Sequence, residues 1–294
     1  MMTIKPLYLA LAGSFVLSIP GQTVQAATLF SGVGEDAIAA FTAMETAIGG
    51  SDNTSLEPQA DGFRTINWDG VLLDGTDFEG NTQVIIRDQV VAIPEERFLS
   101  RGALFDESYV VSGDGLESVN PEVVEQFPAF SPSNIVANSG ETENTIEQSF
   151  TLAGTTTPAA TRGFGAIFLD VERPETSSLE FFNGSVSLGE YFVEPGESGE
   201  PSFLGVLFDE PIVTNVAVTL GNNTIFNFDI ETLETTSGSV DNPENGIDLV
   251  AADDFVYAEP MYVAAAEEEV EIPEPSFLAG LLLVGLLSKR CRKK

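Results

Sequence analysis

The chain has 294 residues, of which 43% are hydrophobic and 9% aromatic, enough for one or two domains with a substantial core. It carries 46 Asp and Glu against 12 Lys and Arg, a formal net charge of -34. So acidic a surface repels phosphate backbones, which argues against nucleic acid as a partner, and it attracts calcium. Solubility alone is the simpler interpretation of this charge.

The absence of particular side chains removes several classes of enzyme. The sequence has no His, and its single Cys is Cys291. This excludes an intrachain disulfide, a zinc site of the usual His/Cys type, and the Cys–His and Ser–His catalytic pairs. A glycosidase that works with a pair of carboxylates stays open.

Residues 1–26 have the pattern of a secretory signal peptide. Lys5 supplies a positive start, an apolar run extends from Leu7 to Ile19, and small residues precede the expected cleavage site before Ala27. The run is short of the ~20 apolar residues that a membrane span requires. We therefore expect the protein to be exported.

The C-terminal end combines a proline break, an apolar run and a basic cluster. An acidic linker, 263–272, leads to Pro273, Glu274 and Pro275, and the apolar run Phe277–Leu287 follows. Its leucines and the cations after it are the residues that we expect to engage a membrane: Leu281, Leu282, Leu283, Leu286, Lys289, Arg290 and Arg292. The run gives ~16 Å of helix, short of a hydrocarbon core of ~30 Å, so snorkelling basic side chains must extend its reach. The alternative is an apolar helix docked on the protein itself.

This arrangement, over 273–294, resembles the PEP-CTERM sorting signal, with its Pro-Glu-Pro motif, hydrophobic helix and Arg/Lys-rich end. The resemblance implies recognition by an exosortase, a membrane transpeptidase, with processing near Pro273, Glu274 and Pro275. It also implies delivery to the cell envelope or to a matrix rich in exopolysaccharide.

Between the two ends, the pattern predicts one helix followed by many short strands. In the N-terminal segment 27–62, apolar residues at helical spacing predict a helix over Glu35–Ile48, which Gly49 ends. The segment 63–262 alternates apolar and polar residues in short runs, with a loop-rich insertion around 94–144. The clearest predicted strands are Gly62–Asp69, Val84–Ile86, Gln89–Ile93, Tyr109–Val111, Ile146–Leu152, Gly163–Asp170, Ser178–Phe182, Ser185–Val193, Ser202–Phe208, Ile212–Leu220, Thr224–Ile230 and Asp254–Ala258. Asn183 and Gly184 predict a hairpin with a type I′ turn.

These elements predict a mainly β protein. The expected architecture is an antiparallel β-sandwich of the jelly-roll kind, with an N-terminal helix and a separate C-terminal hydrophobic helix.

Acidic loops are the only candidates for a binding site. Asp248 follows one loop rich in oxygen donors, and Asp253 and Asp254 begin the last predicted strand, so these three are candidate ligands of a structural Ca²⁺. The alternative is solvated turns, since Asp and Asn favour turns for backbone reasons. Trp68, the only Trp, is interpreted as a core anchor in preference to a sugar platform.

We therefore expect an exported, non-enzymatic β-sandwich protein of the envelope or extracellular matrix. Its partners would be an exosortase, the membrane and a polysaccharide, and no cofactor beyond calcium is expected. Two alternatives stay open: a carbohydrate-active hydrolase that uses a carboxylate pair, and a structural subunit of a surface layer.

Overall fold

The computed structural model describes residues 26–74, 84–105, 109–140, 144–229, 232 and 234–262. Within these ranges the protein is mainly β, with sixteen strands, every pair of them antiparallel, one α-helix and three short 3₁₀ segments. The strands are β1 Ala27–Val33, β2 Phe63–Ile66, β3 Val84–Arg87, β4 Val90–Ala92, β5 Ala103–Phe105, β6 Tyr109–Ser112, β7 Ile135–Asn138, β8 Thr145–Phe150, β9 Gly163–Leu169, β10 Ser178–Asn183, β11 Val186–Phe192, β12 Pro201–Phe208, β13 Asn215–Thr219, β14 Phe226–Asp229, β15 Glu234–Ser237 and β16 Ala251–Ala258. The helix α1 is Glu35–Ile48, and the 3₁₀ segments are Glu95–Arg101, Pro121–Val123 and Pro243–Asn245.

The strands form two main sheets. The large sheet has the order β1-β12-β9-β16-β7-β6-β4-β3, with β2 pairing beside β7 on the same edge of β16. The small sheet has the order β11-β10-β13-β8-β5, and β14 and β15 pair with each other. The last of the described strands, β16, therefore lies inside the large sheet.

Aromatic side chains fill the core between the two sheets. Phe150 of the small sheet lies 6.4 Å, centroid to centroid, from Phe164 of the large sheet. Trp68, which is 1% exposed, packs edge-on against Phe255 at 5.1 Å. Rings that meet edge to face add a favourable contact to the apolar area that they bury. The interpretation of Trp68 as a core anchor is confirmed.

The other face of the large sheet is covered by α1. Met44 of the helix is fully buried over Gly165 of β9 and Gly205 of β12, two glycines paired across the sheet. A Cβ on Gly205 would come within 2.4 Å of the Met44 sulfur, so the helix lies this close only because these positions lack side chains. Strands β9 and β12 are consequently buried on both faces, which explains their nearly continuous apolar sequences.

The predicted helix has the bounds observed, but the N-terminal segment 27–62 is not separate from the sheets. Its first residues form β1, which pairs along its whole length with β12. This partly exposed edge strand shows only weak alternation of apolar and polar residues, and for that reason its pattern predicts no strand.

The insertion around 94–144 contains short strands as well as loops. It contributes β5, β6 and β7, and β7 pairs directly with β16. The strand predicted at Tyr109–Val111 is β6, whereas β5 and β7 have only three and four residues, too few to establish an alternating pattern in the sequence.

The hairpin predicted at Asn183 is present, with a different turn. Asn183 still pairs with Val186, so Gly184 and Ser185 form the two-residue turn. Gly184 has a φ of 60°, whereas Ser185 is not among the residues with positive φ. A positive φ at the first central position alone fits a type II′ turn and not the type I′ turn that was expected.

Candidate functional site

A β-bulge in β16 brings two carboxylates to the same place. Ala252 pairs with Phe168 of β9 and Phe255 pairs with Ala166, so Asp253 and Asp254 together oppose one residue. Successive side chains of a regular strand point to opposite faces, and a bulge lifts that restriction. We call Asp253 and Asp254 the bulge pair.

The loop around Phe130 closes over the bulge pair. The main-chain N–H groups of Phe130 and Ser131 donate to Asp253 Oδ2 at 2.7 and 3.2 Å, and the Ser131 hydroxyl donates to Asp254 Oδ1 at 2.7 Å. On the other side, Trp68 Nε1 donates to the Asp253 carbonyl at 3.2 Å. Asp253 is 0% exposed, and its second carboxylate oxygen, Oδ1, is buried without a hydrogen-bond partner.

The surroundings of the bulge pair are acidic. Burial and then the charge of Asp254 raise the pKa of Asp253 to about 9. Burial also raises the pKa of Asp254, and Asp69 adds to the rise. Glu45 of α1 has its pKa raised by burial and then by the charges of Asp52 and Asp254. Like charges in a poorly solvated place favour the neutral form of each acid.

A second acidic group lies elsewhere, where β9 ends. Ligand atoms of Asp170, Glu172 and Asp241 all lie within 4.8 Å of one another, and the Glu172 N–H donates to Asp248 Oδ1 at 3.1 Å. We call these four residues the rim cluster. Burial first, and then its acidic neighbours, raise the pKa of Glu172 to about 7. Burial likewise raises the pKa values of Asp170 and Asp248.

Protein donors already occupy the buried carboxylates of the rim cluster. Asp170 Oδ2 accepts from Gln126 Nε2 at 2.6 Å, and Asp170 Oδ1 accepts from the Gly199 N–H at 2.5 Å. Asp248 accepts the Glu172 N–H on one oxygen and the Thr176 hydroxyl on the other. These bonds hold three loops against the end of the sheet.

The three candidate calcium ligands therefore fall into two groups. Asp253 and Asp254 lie together in the bulge pair, and Asp248 belongs to the rim cluster. Asp170 and Glu172 were not among the predicted site residues. Their only sequence signal is an Asp-x-Glu directly after the apolar run of β9, and nothing in that signal indicates Asp241 as a neighbour.

A buried ion pair lies near the far end of β16. Arg64 of β2, 0% exposed, donates from Nε and Nη2 to the two carboxylate oxygens of Glu259 at 2.7 and 2.8 Å. Its Nη1 donates to the Ser55 carbonyl at 2.8 Å, and Nη2 also donates to the Glu57 carbonyl at 3.1 Å. This bidentate pair fastens the polar loop before β2 to the sheet.

No family model, no curated protein and no solved structure matches this chain. The described residues contain no helix that is long and apolar enough to cross a membrane. The predicted signal peptide, apart from Ala26, and the whole predicted sorting tail lie outside the described residues, including Pro273, Glu274, Pro275, Leu281, Leu282, Leu283, Leu286, Lys289, Arg290 and Arg292.

Proposed function

We propose that this chain is an exported protein of the cell envelope or extracellular matrix, whose folded part is a non-enzymatic domain that presents loops to a polysaccharide. The leader and the tail that resembles a PEP-CTERM signal support the location. The acidic composition fits a protein that works among cations and carbohydrates outside the cytoplasm.

We infer in addition that the folded part is a jelly-roll β-sandwich. Eight strands support this inference: β7, β8, β9, β10, β11, β12, β13 and β16. In the large sheet these strands lie in the order β7-β16-β9-β12, and in the small sheet they lie in the order β8-β13-β10-β11. If the eight strands are numbered along the chain, the two orders read 1-8-3-6 and 2-7-4-5. This is the order of two interlocked Greek keys rolled into a double sheet.

The observation that carries the non-enzymatic proposal is how the buried charged groups are used. Asp253 holds the main chain at Phe130 and Ser131, and Asp170 holds Gly199. Arg64 holds the carbonyls of Ser55 and Glu57. A catalytic carboxylate must expose an oxygen to substrate, whereas these groups are fully buried and bind loops to the sheets, as a rigid scaffold for display requires.

A binding screen tests this function directly. The mature protein is applied to immobilised envelope polysaccharides with and without Ca²⁺, and retention and newly formed reducing ends are both measured. We expect retention without new reducing ends. Release of reducing ends would replace our proposal with the carboxylate-pair hydrolase. Assembly into ordered arrays, without polysaccharide retention, would replace it with the surface-layer subunit.

The location has its own test. Pro273, Glu274 and Pro275 are changed together to Ala in the producing cell, and the C-terminus is determined by mass spectrometry of the intact protein. We expect the parent to be shortened near this motif and the variant to keep its basic end. The same C-terminus in both would refute processing at the motif and leave the binding experiment unaffected.

A further inference from the structure

We propose that the bulge pair binds a divalent cation of the calcium class, held by Asp253 Oδ1, the Asp254 carboxylate and the Ser131 hydroxyl oxygen. This site lies in the folded part of the protein, and the proposal depends neither on the sorting tail nor on polysaccharide binding.

The first argument is the unpartnered oxygen. Asp253 is fully buried, and its Oδ2 accepts two main-chain N–H groups, whereas Oδ1 accepts no hydrogen bond; the carboxyls of Asp253 and Asp254 can bond to each other only by sharing a proton. A buried carboxylate oxygen without a donor is costly, because it has lost its water and gained nothing in exchange. A cation at Oδ1 supplies what is missing.

The second argument is the arrangement of charge. The bulge forces two adjacent carboxylates to the same side of β16, and Asp69 and Glu45 add further negative charge near Asp254. Such a pair needs a proton or a cation to be stable, and the acidic surroundings concentrate cations near it.

The chemistry of the donors selects the ion. All of the available side-chain donors are carboxylate or hydroxyl oxygens, and the chain has no His. Hard oxygen ligands favour Ca²⁺ and Mg²⁺ over the softer transition metals. Calcium tolerates an irregular set of ligands with few waters, whereas Mg²⁺ keeps near-ideal octahedral geometry and most of its hydration. A pair on a bulge, with one carboxylate buried and the other partly exposed, therefore suits Ca²⁺ better.

The rim cluster carries no comparable argument, although it holds more acids. Both oxygens of Asp170 and both oxygens of Asp248 already accept hydrogen bonds from the protein. Nothing there is left without a partner in the way that Asp253 Oδ1 is.

The lone tryptophan allows a selective experiment. Trp68 Nε1 bonds to the Asp253 carbonyl, so a terbium ion in the bulge pair lies close enough to be sensitised by excitation of the indole. Terbium is titrated into the full-length protein, and calcium is then added as competitor. We expect saturable, Trp-sensitised terbium emission that calcium displaces.

Matched variants assign the signal. Asp253→Asn keeps the shape of the side chain and removes its charge, and we expect at least a tenfold loss of terbium affinity. Glu172→Gln makes the same kind of change in the rim cluster and should leave the emission unchanged. Trp68→Phe should abolish the emission, because the indole that sensitises terbium is gone. Calcium should still raise the melting temperature of this variant, because the cation ligands are intact.

Three results would overturn the proposal. The first is that the folded parent shows no sensitised emission at saturating terbium. The second is that the emission persists in Asp253→Asn. The third is that calcium leaves the melting temperature of the parent unchanged, while the substitution Asp253→Asn by itself raises the melting temperature. The last result would show that a shared proton, and not a cation, neutralises the pair. Should Asp253→Asn fail to fold, Asp254→Asn takes its place, with the same expected loss.

Discussion

Strand β16 carries a pair of opposite charges near one end and a pair of like charges near the other. Just after the strand, Glu259 meets Arg64 in a bidentate ion pair with further hydrogen bonds to loop carbonyls. At the bulge, Asp253 meets Asp254, and one oxygen of Asp253 stays without a partner. The first arrangement is complete within the protein, whereas the second depends on protons or ions from the solution.

The largest expected effect comes from breaking the opposite-charge pair. Arg64→Ala leaves the Glu259 carboxylate buried without its cation and frees the carbonyls of Ser55 and Glu57. We expect a loss of about 3–5 kcal/mol in the free energy of unfolding, measured by denaturant titration. Arg87→Ala, on exposed β3, is the control and should change the value by less than about 0.5 kcal/mol. Equal effects of the two would contradict the structural importance of the buried pair.

Removing a member of the like-charge pair should cost less. Asp253→Ala deprives the Phe130 and Ser131 N–H groups of their acceptor, for a loss of about 1–3 kcal/mol, partly offset by the relief of repulsion from Asp254. Asp254→Ala should cost less again, since the Ser131 hydroxyl can turn to water. Denaturant titration in the absence of divalent ions tests this order, and the reverse order would disagree with the hydrogen bonds that the structure assigns to the pair.

A buried amide sharpens the comparison, because it has neither charge nor partner. Gln148 of β8 is 0% exposed, and both its Oε1 and its Nε2 lack hydrogen-bond partners. Gln148→Met should therefore stabilise the protein by about 1–2 kcal/mol. Gln126→Met, which removes the donor to Asp170, should destabilise it. A loss of stability in both variants would show that Gln148 is bonded after all, for instance to an internal water.

The smallest effect expected is a pH dependence from the rim cluster. The folded-state pKa of Glu172, about 7, lies above its ordinary value of 4.5, so protonation stabilises the folded state. This contribution is complete below about pH 4.5 and is lost as the pH rises through about 7. Melting temperatures of the parent should fall across that range, and Glu172→Gln should make the fall shallower. Glu147→Gln, on the outer face of β8, should leave the slope unchanged.

The parts of this fold that the sequence predicts are those whose burial is continuous or strictly alternating. Strands β9 and β12 have nearly unbroken apolar sequences because α1 covers one face of the large sheet and the small sheet covers the other. The helix α1 shows its amphipathic period within its own residues. Short strands such as β5 and β7 gain their pairing from partners far along the chain, and no local pattern indicates those partners.

The candidate sites divide in the same way. Asp253 and Asp254 are visible as adjacent acids, but only the pairing of β16 with β9 reveals that a bulge points them to the same side. The rim cluster joins Asp170 and Glu172 to Asp241 and Asp248 across about seventy residues of sequence. Such meetings are set by topology, and a single sequence contains no local signal for them.

The use of the arginines has a consequence for proteolysis. From Lys5 to Lys289 the chain has no other Lys and only six Arg, and each of these hydrogen-bonds a main-chain carbonyl or, for Arg87, the Thr235 hydroxyl. A protease that cleaves after basic residues must first open one of these anchored segments, so the folded body should resist digestion at a rate set by its local opening. Clustered cleavage sites for such a protease occur in the sequence only beyond Ser288. Mild trypsin treatment of intact cells should then leave the part that faces the medium undigested.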